Sequence, residues 1–261
     1  MKILSNELAH HYQIASLQRG YNVFTSFIAH DGRILFLDSH LERLLNGADF
    51  LFPTVGWTSH FESVKQYVER EFDALSLPRQ KASYFRLSIF DNNIHLQHRE
   101  LPSSPDSLSL TSGLKIKTPG LVPAFVKLSN YVESDLELQR ARLRNFDEVV
   151  FFDQTQNVTE ASTSNLFIVA SDGSVLTPPP SSMILDGITR QKLFQKLQSN
   201  DFKIFEKPIS KSDLLNAREI WLTNSVKGIR FVDQFEELNF EKKDSLFEKV
   251  IKIFGRYGEL A

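Results

Sequence analysis

Four stretches of the sequence carry residue types that could do chemistry, and each also has an ordinary structural explanation. In LDGITRQKLF, Leu185 to Phe194, a glycine precedes what reads as a helix start. Gly187 lets backbone approach a ligand closely. Ile188, Thr189 and Arg190 would then offer N–H groups at the positive end of the helix, a setting that suits a phosphate. A plain capped helix start would read the same way. TNSVKGI, Thr223 to Ile229, leaves a strand with small hydrogen-bonding residues that could likewise face an anion. Lys127, in VPAFVKLSNYV, stands between Val126 and Leu128. An amine in apolar surroundings loses proton affinity, which is what a Schiff-base lysine needs, whereas a surface lysine at a helix start is the commoner case. Glu160, in NVTEASTSNLF, could cap a turn or hold a protonated ring nitrogen.

Other chemistries lack their residues. His10 and His11 are adjacent, and His95 and His98 fall three apart in an expected strand, which points them to opposite faces. No HExxH or carboxylate cluster joins them, so no metal site is expected. Neither GxGxxG nor GxxxxGK[ST] occurs. The sequence has no cysteine, which removes disulfides, thiolate metal sites and a thiol nucleophile. The 30 Lys and Arg against 32 Asp and Glu leave a net charge of −2, giving no basic footprint for a nucleic acid. The opening MKILSNELAHHYQ breaks its apolar pair at Ser5 and Asn6, and no later run reaches a membrane span. A cytoplasmic location is therefore the default expectation. Phe is over-used, with 22 against 6 Tyr and 2 Trp, loading the interior with rings that bring no polar handle.

These residues must be positioned by an α/β (α+β) framework. Strands are expected over Tyr21 to Ala29 and Ile34 to Leu37, joined across the Asp31-Gly32 turn. A helix follows from about His40 to Phe52, with Leu41, Leu44, Leu45 and Ala48 on one face. Further expectations are a helix over 59–75 and strands over 84–90 and 94–99. The turn-rich LPSSPDSLSLTSG precedes a short strand, Leu114 to Lys117. TPGLVP then marks a junction at 119–124, dividing a domain of residues 1–118 from one of 125–261. In the second, helices are expected over 129–143, 189–197 and 242–254, and strands over 148–153, 165–170, 175–177 and 219–223. The sequon Asn157-Val158-Thr159 has no secretory context and is treated as chance.

Taken together, the stretches resemble the class IV family of pyridoxal-phosphate enzymes, which includes branched-chain and D-amino acid aminotransferases and aminodeoxychorismate lyases. The residues that carry the resemblance are HLERLLNGADFL at 40–51, KLSNY at 127–131, DEVVFFDQTQNVTEASTSNLFIV at 147–169, LTPP at 176–179, ILDGITR at 184–190 and TNSVKGIRFV at 223–232. The resemblance implies a two-domain fold of type IV, with a small N-terminal α/β domain and a larger C-terminal domain around a barrel-like β core. It also implies pyridoxal 5′-phosphate as cofactor and a homodimer. Lys127 then resembles the catalytic lysine that bonds the cofactor and shuttles a proton. Glu160 resembles the partner of the pyridine nitrogen, keeping it protonated so that the ring can act as electron sink. Arg43 is similar to the family's phosphate arginine, whose fork lysine would not replace. Ile188, Thr189 and Ser225 match further phosphate donors, with Gly187, Asn224, Ser164 and Asn165 around them. Leu185 corresponds to the residue that packs on the ring, and Tyr131 to one near the phenolic oxygen.

The chain departs from the family before Phe24, where Arg19 to Asn22 replaces the usual YGDG and its acid. That wall borders the substrate. Val23-Phe24-Thr25-Ser26 resembles the FTT form of some lyases more than the FE of aminotransferases, and Asn224-Ser225 stands where branched-chain enzymes usually show Gly-Thr. Both features lean toward 4-amino-4-deoxychorismate lyase, which releases pyruvate and leaves 4-aminobenzoate for folate biosynthesis. A branched-chain or D-amino acid aminotransferase stays open, as does a non-catalytic relative. Thr25 and Arg86 are the expected substrate contacts, and Arg86 or Arg230 could hold an anionic substrate.

Overall fold

The computed structural model describes residues 2–3, 19–78, 82–105, 107–181 and 183–261; His10, His11 and most of the opening segment lie outside them. The chain forms two compact units, the first built from residues 1–102 and 125–131, the second from 103–124 and 132–261.

Among the described residues the first unit is a five-stranded sheet with two α-helices and a short 3-10 turn at Trp57–His60. Its strands are β1 (Lys2–Ile3), β2 (Val23–His30), β3 (Arg33–Ile34), β4 (Ser83–Phe90) and β5 (Asn93–Arg99), in the order β1-β5-β4-β2-β3. Asp31 and Gly32 both adopt positive φ, which closes the β2–β3 hairpin as the Asp-Gly pair predicts. The helices are α1 (Leu37–Leu51) and α2 (Phe61–Ala74). Along α1 the buried residues Leu37, Leu41, Leu44, Leu45 and Ala48 recur at helical spacing, so a single apolar stripe seats the helix. His40 and Arg43 flank that stripe. Segment 125–131 belongs here because it runs beside β2: Phe24 N donates to Lys127 O at 3.0 Å, Ser129 N to Asn22 O at 3.0 Å, and Val23 bridges Leu128 antiparallel.

The second unit is a nine-stranded sheet. It comprises β6 (Ser107–Lys117), β7 (Glu148–Asp153), β8 (Val158–Ala161), β9 (Asn165–Val169), β10 (Val175–Thr177), β11 (Ile204–Glu206), β12 (Glu219–Asn224), β13 (Gly228–Phe235) and β14 (Leu238–Asn239). The order is β11-β10-β9-β12-β13-β6-β7-β8, with β14 on β13. Strands β8 and β9 lie far apart in this order yet are joined by only Ser162 to Ser164, with Ala161 N donating to Ser164 O at 2.8 Å. So short a link requires the sheet to curl back on itself, giving the barrel-like core expected of this fold. Both faces of the sheet are covered, so the middle residues of its central strands are apolar on either side. On β9 and β12, Leu166, Ile168, Ile220 and Leu222 enter one cluster, while Phe167, Val169 and Trp221 enter the other with Leu193, Phe231 and Phe247. The helices are α3 (Val132–Leu143), α4 (Ile188–Ser199), α5 (Lys211–Leu215) and α6 (Leu246–Phe254). Among the described residues no helix is long and apolar enough to cross a membrane.

The mixed α/β class agrees with expectation, but the division of the chain does not follow a single cut at 119–124. Strand β6 begins at Ser107 rather than Leu114, and it pairs with β7 and β13, which places 103–118 in the second unit. Lys127 lies in extended backbone alongside β2, not at a helix start. Helix α3 begins only at Val132 because Ser129 is committed to Asn22. Lys127 and Arg43 therefore share a unit, instead of lying in different ones.

Candidate active site

In the first unit, β2, α1, β4 and segment 125–131 carry five predicted residues, Thr25, Arg43, Arg86, Lys127 and Tyr131. Lys127 Nζ donates to the Tyr131 hydroxyl at 2.7 Å and lies 4.9 Å from the centroid of the Phe24 ring. The Arg86 guanidinium lies 3.5 Å from the same ring and donates to Ser129 Oγ at 2.7 Å. Ser129 in turn donates to Asn22 Oδ1. Both side chains thus lie against one phenylalanine, and burial pulls the Arg86 pKa below its ordinary value. Among the described residues no carboxylate pairs with Arg86.

Thr25 does not face a substrate. It is fully buried, accepts from Arg43 Nη2 at 3.2 Å and meets His40 Nδ1 at 2.7 Å. The inward face of β2 at this register is closed by α1, and the hydroxyl is consumed there. Burial, then the nearby charges of Arg43 and Lys127, hold the His40 imidazole well below its usual pKa.

In the second unit the remaining predicted residues form two linked sets. Glu160 lies on β8, with Oε1 accepting from Lys117 Nζ at 2.6 Å and Oε2 from Leu185 N at 3.1 Å. The Leu185 carbonyl accepts from Asn165 Nδ2 at 2.7 Å, so both faces of that residue's backbone are pinned. Gly187 is the N-cap of α4 and brings no side-chain acceptor, leaving the helix start uncapped by its own sequence. A Cβ on Gly187 would collide with Asn165 Oδ1, so the space beside this glycine is taken by the side chain that holds the Leu185 carbonyl. Thr189 Oγ1 lies 3.1 Å from Ser225 Oγ, joining the 185–194 and 223–229 stretches. Ser225 is held in turn by Asn224, whose Oδ1 accepts from Val226 N and Lys227 N at 3.0 and 2.7 Å. Asn224 Nδ2 donates to Ser164 Oγ at 3.1 Å, and Arg230 Nη2 donates to the same oxygen at 3.2 Å.

Arg230 is not placed to hold a substrate: it is buried and faces buried Glu148 at 3.8 Å. Glu148 also accepts from Ser162 Oγ and from Val149 N. Sequence reasoning missed Lys117, His40 and Glu148. None carries a local signal, and each acts through a partner distant in sequence, as with Lys117 and Glu160, 43 positions apart.

Each unit carries donors of the kind a phosphorylated aromatic aldehyde would need: the first a guanidinium and an amine beside a phenol, the second an uncapped helix start, two adjoining hydroxyls and a carboxylate anchored through both oxygens. The family model for amino-transferase class IV matches residues 22–235. The chain belongs to the class IV aminotransferase family. It is a pyridoxal-phosphate-dependent enzyme. A probable branched-chain-amino-acid aminotransferase of Aquifex aeolicus is 28% identical over 215 residues, spanning 75% of this chain and 68% of that protein. A structure from Legionella pneumophila, provisionally assigned as a 4-amino-4-deoxychorismate lyase, matches with a TM-score of 0.80 at 21% identity, covering 96% of this chain and 97% of the other. A hypothetical aminotransferase of Mycobacterium tuberculosis in a pyridoxal-phosphate-bound form matches at 0.77 and 20% identity, covering 97% and 92%. No group of three or more His, Cys, Asp or Glu that could hold a metal occurs among the described residues.

Proposed function

We propose that this enzyme is a 4-amino-4-deoxychorismate lyase, converting its substrate to 4-aminobenzoate and pyruvate. Bound pyridoxal phosphate would supply an electron sink for the carbanion formed at the substrate carbon. The observation that carries the choice is Arg86: it shares Phe24 with Lys127 and lacks a carboxylate partner among the described residues. That arrangement suits an anionic substrate such as aminodeoxychorismate, whose carboxylates lie away from the carbon that bears its amine. The neutral Val23-Phe24-Thr25-Ser26 stretch supports the same reading.

The roles follow from the donors. Lys127 Nζ would bond the cofactor and move the proton at the reacting carbon, with the Tyr131 hydroxyl fixing its direction. Glu160, held by Lys117 and Leu185 N, would keep the ring nitrogen protonated, while Leu185, pinned at both ends, would pack on the ring. Arg43, Thr189, Ser225 and the N–H of Ile188 would bind the phosphate, with Ser164, Asn165, Gly187 and Asn224 shaping the backbone around it. The family resemblance implies a homodimer, and exposed Leu114, Ile116, Leu136 and Leu143 are compatible with subunit contact. Light scattering at the mass of a single 30.0 kDa chain would refute the dimer.

Purified enzyme supplied with pyridoxal phosphate should turn yellow, and borohydride should attach the cofactor permanently to Lys127. Supplied with aminodeoxychorismate, it should release 4-aminobenzoate and pyruvate in equal amounts. The second reading is a branched-chain aminotransferase, favoured by the Aquifex aeolicus relative. Amino exchange between branched-chain amino acids and 2-oxoglutarate, without aminobenzoate formation, would establish it and overturn the lyase.

A further inference from the structure

Thr25 and His40 have no place in the phosphate site as the sequence presents it, yet the structure ties both to Arg43. Strand β2 supplies Thr25, while α1 supplies His40 and Arg43 from adjoining turns of one face. Thr25 is fully buried and His40 is 1% exposed, so neither hydroxyl nor imidazole can exchange its partner for water.

The direction of each hydrogen bond follows from the donors. A guanidinium only donates, so at 3.2 Å the Thr25 oxygen accepts from Arg43 Nη2. Its single proton then goes to the other neighbour, His40 Nδ1, at 2.7 Å. This direction assigns the neutral imidazole with its own proton on Nε2, a tautomer in which Nδ1 is the acceptor and Nε2 meets no partner among the described residues. Burial and the charges of Arg43 and Lys127 act in the same direction by disfavouring a second proton. An unpartnered buried N–H is costly, and an apolar side chain beside Phe27 would avoid that cost. What the histidine provides in exchange is an acceptor that holds the Thr25 proton, leaving a lone pair of the hydroxyl for the guanidinium. A carboxylate at position 25 would also hold Arg43, but it would cancel the charge that a phosphate needs.

We propose that His40, acting through Thr25, is a positioning residue that orients Arg43 for phosphate without neutralising it. The inference rests on the reading of Arg43 as the phosphate arginine, and the experiment separates the two. Apoprotein is titrated with pyridoxal phosphate and, in parallel, with pyridoxal, which has the same aldehyde and ring but no phosphate; absorbance and fluorescence report each Kd. Thr25→Val and His40→Phe, both close in shape to the residues they replace, should raise the Kd for pyridoxal phosphate by about tenfold and leave that for pyridoxal unchanged. Thr25→Ser and His40→Asn, which keep the hydroxyl and an acceptor, should restore affinity and also serve where the first pair folds poorly. Arg43→Met should abolish the preference for the phosphorylated form. If Arg43→Met binds pyridoxal phosphate like wild type, the phosphate reading fails and the relay fails with it. If Arg43→Met loses the preference but Thr25→Val and His40→Phe keep it, the relay alone is wrong. Equal weakening toward both ligands in those two variants would likewise overturn it, because that is the signature of a merely structural contact.

Discussion

Replacing Arg230 with methionine leaves the length and much of the volume of the side chain but removes the cation facing Glu148. Glu148 is 1% exposed and Arg230 is 4% exposed, so water cannot take over either role. At 3.8 Å, with an effective dielectric of about 20, the charge pair is worth about 4 kcal/mol. Part of the carboxylate's solvation survives the change, since Val149 N at 3.0 Å and the Ser162 hydroxyl and amide remain. The expected loss is therefore about 3 to 4 kcal/mol, within the range for breaking one side of a buried pair. In urea this corresponds to a fall in the unfolding midpoint of roughly 1 M or more. Adding Glu148→Gln removes the stranded charge, so the double variant should regain at least half of the loss. Because Arg230 also holds Ser164, and Ser164 holds Asn224, the single variant should in addition weaken pyridoxal phosphate binding by loosening the turn at Ser225. A single variant within about 1 kcal/mol of wild type, or strict additivity in the double, would refute the reasoning.

Two further outcomes are expected. Gly187→Ala should push the Asn165 amide off the Leu185 carbonyl, costing about 1 to 3 kcal/mol and lowering Tm by several degrees. In an Asn165→Ala background the same change should cost little, and a full penalty there would place the strain elsewhere. His40 has a folded-state pKa well below 6.5, so on acidification the unfolded chain takes up its proton first. Its contribution is complete above pH about 6.5 and is lost as pH falls from there toward the folded value, at up to about 1.4 kcal/mol per pH unit. Urea unfolding of wild type and His40→Gln at pH 7.5, 6.5 and 5.5 should show this extra slope in wild type only, and parallel curves would contradict it.

How far the sequence discloses the fold depends on whether a residue's partners are local. The stripe of α1, the Asp31-Gly32 hairpin and the strand β7 are read directly, because each is set by spacing within a few residues. The first half of β6 is hidden by its serines, although Leu108 and Leu110 alternate as a strand requires and both are buried. Strand β13 is missed because Gly228 reads as the end of a loop. It is in fact the first residue of the strand, paired with Asn224 across the 225–227 turn at φ 72°, where a Cβ would collide with Arg256 O. The site divides in the same way. Gly187, Thr189 and Asn224 announce themselves through local turn and helix chemistry. The supports of Glu160, Ser164 and Arg43 come from Lys117, Arg230 and Thr25, whose types are unremarkable until long-range pairing brings them in. Arg230 and Thr25 were expected to meet substrate because charge and hydroxyl are visible in a sequence, whereas burial is not.

The placement of residues 125–131 beside β2 governs the order in which the molecule can be made. Val23 must wait for Leu128, so a ribosome that has released residues 1–102 has released a sheet still missing the strip that carries its lysine. That strip arrives only after β6 has emerged, while the partners of β6, β7 and β13, are still unsynthesised. The nascent chain therefore passes through an interval with an exposed, unpaired strand bearing Leu108 and Leu110, a state in which capture by a chaperone would be productive. For the same reason, neither unit can be cut out or exchanged between relatives as one continuous stretch of gene. A chimaera that joins two parents at Pro102 takes Arg43 from one and Lys127 from the other, and must re-form the Phe24 to Lys127 pairing across the parental boundary.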